Sequence, residues 1–263
     1  MKILEEVHQI QYTEYRIHAK KWQTDSGDLS LAPIILMHDS LGSVSLWRDF
    51  PAQLAQATGR VIYAYDRLGF GLSDAHPTSL AYSFVSTEAT QCFKAVLDYF
   101  SIQDFIILGH SVGGGMSIAI AAIYAECCHA LITISAQYTV EELTLAGIRE
   151  AKLGFQQAGQ IERLAKYHPN KAQWVLDAWT ETWLAPAFQD WSLAEIIGGV
   201  CCPTLVIHGE LDEYATTAQP QQIFSGVTGQ AELQILEGLH HMPHKEQPDL
   251  VVALIADFLE ANI

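Results

Sequence analysis

The polarity pattern of the chain is a series of short apolar runs, each closed by small or polar residues. Phe105-Ile106-Ile107-Leu108 has no polar break, as a strand buried on both faces requires. Pro33 to Met37, Arg60 to Tyr65, Ala130 to Ser135, Pro203 to His208 and Glu232 to Leu236 read as further strands. Between them Leu46, Phe50, Leu54 and Ala57 fall at helical spacing. Further helices are expected over about 83–100, 116–125, 217–225 and 249–259. Polar–apolar alternation over 9–22 predicts one antiparallel strand ending before the turn at Asp25-Ser26-Gly27. Strand and helix in alternation predict an α/β chain with a mostly parallel sheet and helices on both faces. The rhythm breaks over 139–200, which is helical in period and rich in aromatics. The expected organisation is a core domain of residues 1–138 and 201–263, with an inserted helical cap over 139–200.

The run from Phe105 ends in Gly109-His110-Ser111-Val112-Gly113, then two more glycines and a helical stretch. Glycines two before and two after the serine remove bulk from a sharp turn and permit a strained backbone there. G-x-S-x-G also occurs by chance, and the strand–turn–helix context is what gives it meaning. In that context the segment resembles the nucleophile elbow of the α/β-hydrolases. The resemblance implies that Ser111 Oγ stands exposed at the end of the sheet. It also implies that the Val112 N–H, favoured by the helix dipole, faces a developing oxyanion.

A serine needs a base to take its proton and a third group to orient that base. His208-Gly209-Glu210-Leu211-Asp212-Glu213 resembles the family's H-G-x-x-D loop and implies Asp212 as the acid. Glu210 and Glu213 are near rivals, and a solvated acidic loop is the plain alternative. The other place such enzymes keep the acid, after Ser135, holds only Ala136-Gln137-Tyr138. Residues 239–248 carry His240, His241 and His244 and resemble G-x-G-H-x-x-H-x-E-x-P. Counting back from Glu246 and Pro248 implies His241 as the base and His244 as structural, with His240 where a glycine is common. Three close histidines also admit a metal-binding reading, but further ligands are missing nearby, so no metal and no cofactor are expected.

His38-Asp39-Ser40-Leu41-Gly42-Ser43 resembles the H-G-x-x-G loop, whose second oxyanion donor is here the Ser40 N–H. Asp39 replaces the usual glycine. It is expected to cap the loop and the helix that follows, with reach into the site as the alternative. Asp66 to Asp74 resembles D-x-R-G-x-G-x-S-D, with Leu68 in place of the first glycine, and implies a pocket floor beneath the elbow. Ser40-Leu41-Gly42-Ser43 is also similar to the N-S-L-G-T loop of 3-oxoadipate enol-lactonases. Ser111 itself departs from the aspartate nucleophile of haloalkane dehalogenases and epoxide hydrolases.

Composition narrows the partners. A formal charge of −16 leaves no basic patch for nucleic acid or an anionic membrane. Five cysteines, four of them in adjacent pairs, read as reduced thiols of a cytoplasmic protein. Glutamates at positions 5 and 6 interrupt the place of a signal peptide's apolar stretch. Trp174, Trp179, Trp183 and Trp191 fall within the expected cap. Most are expected to pack it onto the core, with Trp179 and Trp183, and His110 beside the serine, as substrate contacts. Arg149, Lys152, Arg163, Lys166 and Lys171 leave an anionic substrate open. The expected function is hydrolysis of an ester or lactone of a small, apolar or aromatic substrate through an acyl-enzyme. A carbon–carbon bond hydrolase and a ligand receptor on the same fold are the alternatives. The sequence fixes no oligomeric state.

Overall fold

The computed structural model describes residues 2–263. Its sheet has eight strands: β1 (Ile3–Tyr12), β2 (Tyr15–Thr24), β3 (Ile34–Met37), β4 (Ile62–Tyr65), β5 (Phe105–His110), β6 (Cys128–Ile134), β7 (Thr204–Gly209) and β8 (Ala231–Leu236). They lie in the order β1-β2-β4-β3-β5-β6-β7-β8. The pairs β1–β2 and β2–β4 are antiparallel and all others parallel.

The unbroken apolar runs are the parallel strands, because helices cover both of their faces. Along β5, Phe105 and Ile107 enter one core with α3 (Cys92–Phe100) and α4 (Val112–Ile123). Ile106 and Leu108 enter the other with α1 (Phe50–Thr58) and α10 (Pro248–Asn262). Strand β3 alternates in the same way, so the two-residue period survives inside an all-apolar run.

Two elements differ from the sequence pattern. The stretch 9–22 is not one strand but the two arms of a hairpin, with Tyr12 opposite Tyr15 and Thr13 at φ 50°. A Thr-Glu turn carries no glycine or asparagine to announce it. The helix expected over 83–100 is broken into α2 (Phe84–Thr87), a 3-10 turn at Glu88–Thr90 and α3. Glu88 is buried at the break, accepting a hydrogen bond from Tyr65 Oη at 2.5 Å.

Between β6 and β7 the chain forms α5 (Glu142–Gly154), α6 (Gln160–Ala165) and α7 (Ala172–Trp183), with one isolated bridge, Thr139 to Ser192. Leu164, Ala172, Val175 and Leu176 make a small core of their own with Phe70. Helices α8 (Ala218–Gly226) and α9 (Pro243–Glu246) complete the chain. Among the described residues no helix is long and apolar enough to cross a membrane.

Candidate active site

The loops leaving β3, β5, β7 and β8 converge, since these parallel strands all end on the same edge of the sheet. At the end of β5 the chain must reverse into α4 within one residue. Ser111 takes φ 56°, ψ −127° to do so, a conformation costing about 1–3 kcal/mol unless its surroundings enforce it. They do: its N–H donates to the Ile134 carbonyl, and its carbonyl accepts from the Gly114 N–H. Close packing beneath α4 explains the glycine at 113, where a Cβ would lie 2.2 Å from the Met37 carbonyl oxygen. Gly113→Ala is therefore expected to destabilise the fold by roughly 1–3 kcal/mol, read as a lowered urea midpoint with unchanged m-value.

Ser111 Oγ donates to His241 Nε2 at 3.0 Å. His241 Nδ1 donates to both oxygens of Asp212, at 2.9 and 2.8 Å. The N–H groups of Tyr214 and Ala215 donate to Asp212 Oδ1. Burial pushes the Asp212 carboxyl up, but the His241 hydrogen bond and charge and the Tyr214 amide outweigh it and hold it below its ordinary value. Of the rival acids, Glu213 Oε2 accepts the His241 backbone N–H and Glu210 Oε2 that of Gly238. Both brace the loop and neither meets the imidazole. His240 is exposed and bound to Glu246 through its backbone N–H and Nδ1. His244 is buried against Trp47, Phe50 and His110.

Ser40 and Ser111 line one cavity of about 100 Å³ with Trp179, Trp183, Gln137 and Tyr214. Val112 is the first residue of α4, so its N–H has no intrahelical partner. His110, expected to touch substrate, is instead 2% exposed and lies behind the site. Its Nε2 donates to the His241 carbonyl at 2.9 Å, which fixes the loop bearing that residue. The Asp39 carboxylate, expected as a cap, receives no hydrogen bond from the N–H groups of its loop or of α1; the Gly42 N–H donates instead to the Asp39 backbone carbonyl, and the residue lines the cavity. The sequence reading missed His168. Fully buried, it accepts from the Gly71 N–H through Nδ1 and donates to the Leu41 carbonyl through Nε2. It thereby ties the Ser40–Leu41 loop to the Asp66–Asp74 loop; a lone histidine in a helical stretch gives no sign of this.

Comparison with known proteins agrees with this fold. The family model described as "Alpha/beta hydrolase family" matches residues 34–254. A proline iminopeptidase of Heyndrickxia coagulans is 22% identical over 96% of this chain and 98% of its own. A solved proline iminopeptidase from Mycobacterium smegmatis superposes with a TM-score of 0.75 at 20% identity, covering 98% of both chains. The enol-lactonase from Burkholderia xenovorans gives 0.73 at 20% identity, over 96% of this chain and all of its own. With the sheet order, the elbow and a family match across most of its length, the chain belongs to the alpha/beta hydrolase family.

Proposed function

We propose that the protein is a serine hydrolase that cleaves an ester or lactone through an acyl-enzyme. The observation that carries this reading is the continuous chain Asp212–His241–Ser111, with heavy-atom separations of 2.8 and 3.0 Å. Ser111 Oγ attacks the carbonyl carbon as His241 Nε2 takes its proton, and Asp212 stabilises the imidazolium. The N–H groups of Ser40 and Val112 receive the oxyanion. The imidazolium then protonates the leaving alkoxide, and water deprotonated by His241 releases the acid. The scheme needs no cofactor.

Residues 139–200 act in this reading as a lid, since Trp179 and Trp183 on α7 form part of the cavity wall over Ser111. The wall is largely apolar and aromatic, which suits a small substrate of the same character.

A fluorophosphonate probe tests the assignment of base and nucleophile. Labelling is expected for the wild type and for His240→Ala, whose ring points to Glu246. It is expected to be lost in Ser111→Ala and His241→Ala. A folded wild type that resists the probe would refute the reading and leave a ligand-binding role for the same cavity. Loss of labelling in His240→Ala alone would move the base by one residue.

A further inference from the structure

The cavity beside Ser111 carries a charge pattern that ester cleavage leaves unused. Asp39 folds over Gly42, where a Cβ would come within 2.0 Å of its Oδ1. Its nearest basic group is His110 Nδ1 at 3.7 Å. Burial, and next the His241 charge, hold that imidazole well below its usual pKa, so it supplies no positive charge at neutral pH. Asp39 thus lines the cavity with no lysine or arginine paired to its carboxylate, the buried Arg67 guanidinium donating instead to its carbonyl at 3.0 Å. Gln137 lines the same cavity, is only 4% exposed, and has a carbonyl oxygen without any hydrogen-bond partner. A buried, unsatisfied amide is costly, and a ligand that donates to it recovers that cost.

Aromatic rings complete the wall. Trp179 and Tyr214 lie 6.0 Å apart between centroids, and Trp183 joins them in the same cavity. Its lining includes no lysine or arginine. None of the five basic side chains that left an anionic substrate open lines the cavity, and three are engaged elsewhere: Arg149 pairs with Glu142, Lys152 with Glu181, and Lys171 donates to the Ser73 carbonyl. Ring faces attract a cation, most strongly where water is excluded. A substrate carboxylate would instead meet Asp39 at short range in a low-dielectric site. The chain's net charge of −16 works in the same direction at long range, favouring encounter with cations.

We propose that the substrate carries a compact ammonium group, held by Asp39 and Gln137 against Trp179, Trp183 and Tyr214 while Ser111 attacks the carbonyl. Binding of the cation follows from the cavity itself; only its cleavage rests on the serine-hydrolase reading.

A matched pair of esters isolates the charge: a choline ester and the 3,3-dimethylbutyl ester of the same acid, nearly identical in shape. The expected wild-type kcat/KM is about tenfold or more higher for the choline ester at low salt, and the preference shrinks as salt is raised. In Asp39→Asn the ratio of the two values is expected to fall to about threefold or less, because the isosteric amide keeps shape and loses charge. Calorimetric titration with choline needs no turnover. Binding that weakens in Asp39→Asn and is kept in part by Asp39→Glu supports the site even if the protein hydrolyses neither ester and resists the fluorophosphonate. An equal preference for the two esters, a ratio indifferent to Asp39→Asn, or no choline binding would overturn the proposal, with Ser111 labelling still reporting independently on the hydrolase assignment.

Discussion

Ser111→Ala is expected to lower kcat toward an activated ester by roughly 10⁴–10⁶-fold, while the thermal midpoint moves by no more than about 4 °C. The contrast follows from where the hydroxyl sits. Its hydrogen bond is to His241 Nε2, so alanine removes the proposed nucleophile and one buried hydrogen bond but no packing volume of consequence. Alanine also inherits the same backbone, φ 56°, and so neither relieves nor adds strain. In the proposed mechanism Ser111, His241 and Asp212 act as one unit, so Ser111→Ala/His241→Ala should be no slower than either single variant. Steady-state kinetics beside calorimetric melting would show both halves. Turnover within tenfold of wild type in a folded Ser111→Ala would remove the serine from the chemistry.

The parts of this molecule that were legible in the sequence share a physical cause. Strands β3, β5, β6 and β7 are buried on both faces, so each appears as an apolar run closed by the loop that bears a site residue. The elbow was legible because a reversal within one residue admits only small neighbours. His241 could be singled out from its neighbours because Pro248 opens α10 and sets the count back to it. What stayed hidden depends on contacts between distant segments. The break in the helix at Glu88 accompanies a hydrogen bond from Tyr65, 23 residues away. His110 is adjacent to Ser111 in sequence but points behind it, because Ser111 itself reverses the chain. Asp39 read as a cap from local context alone. Whether a carboxylate meets backbone N–H groups or a cavity depends on Gly42, His110 and the cavity wall together.

The buried histidines imply a second large effect, acid destabilisation well above the range in which carboxylates titrate. Burial is the leading cause that holds His38, His110 and His244 well below the usual imidazole pKa. His38 Nε2 accepts the Arg67 backbone N–H, a bond open only to the neutral ring. In the unfolded chain each of the three takes up a proton near pH 6.5. Their contribution to stability is therefore complete above that pH and is lost as pH falls below it, at up to about 4 kcal/mol per pH unit for three protons. Glu88 opposes them. Burial pushes it up to about 7, so the folded state holds a proton there that the unfolded chain, with a glutamate pKa near 4.3, has released. Its contribution is full below about pH 4.3 and is lost as pH rises towards 7. Together these four groups leave a net loss of about 2 kcal/mol between pH 7 and 5.5, and His168, also lowered by burial, adds to it. Asp212 adds its own loss only as pH falls below about 4, outside this window. Relief of the −16 net charge acts the other way, and roughly 0.5 M salt suppresses it. Urea midpoints across pH 7.5 to 5 would measure the slope. Glu88→Gln should steepen it, and His244→Phe, whose ring would rest on Trp47 and Phe50, should flatten it by one proton, about 1.4 kcal/mol per pH unit. Stability that is level or rising from pH 7 down to 5.5 would mean that these imidazoles reach water in the folded protein.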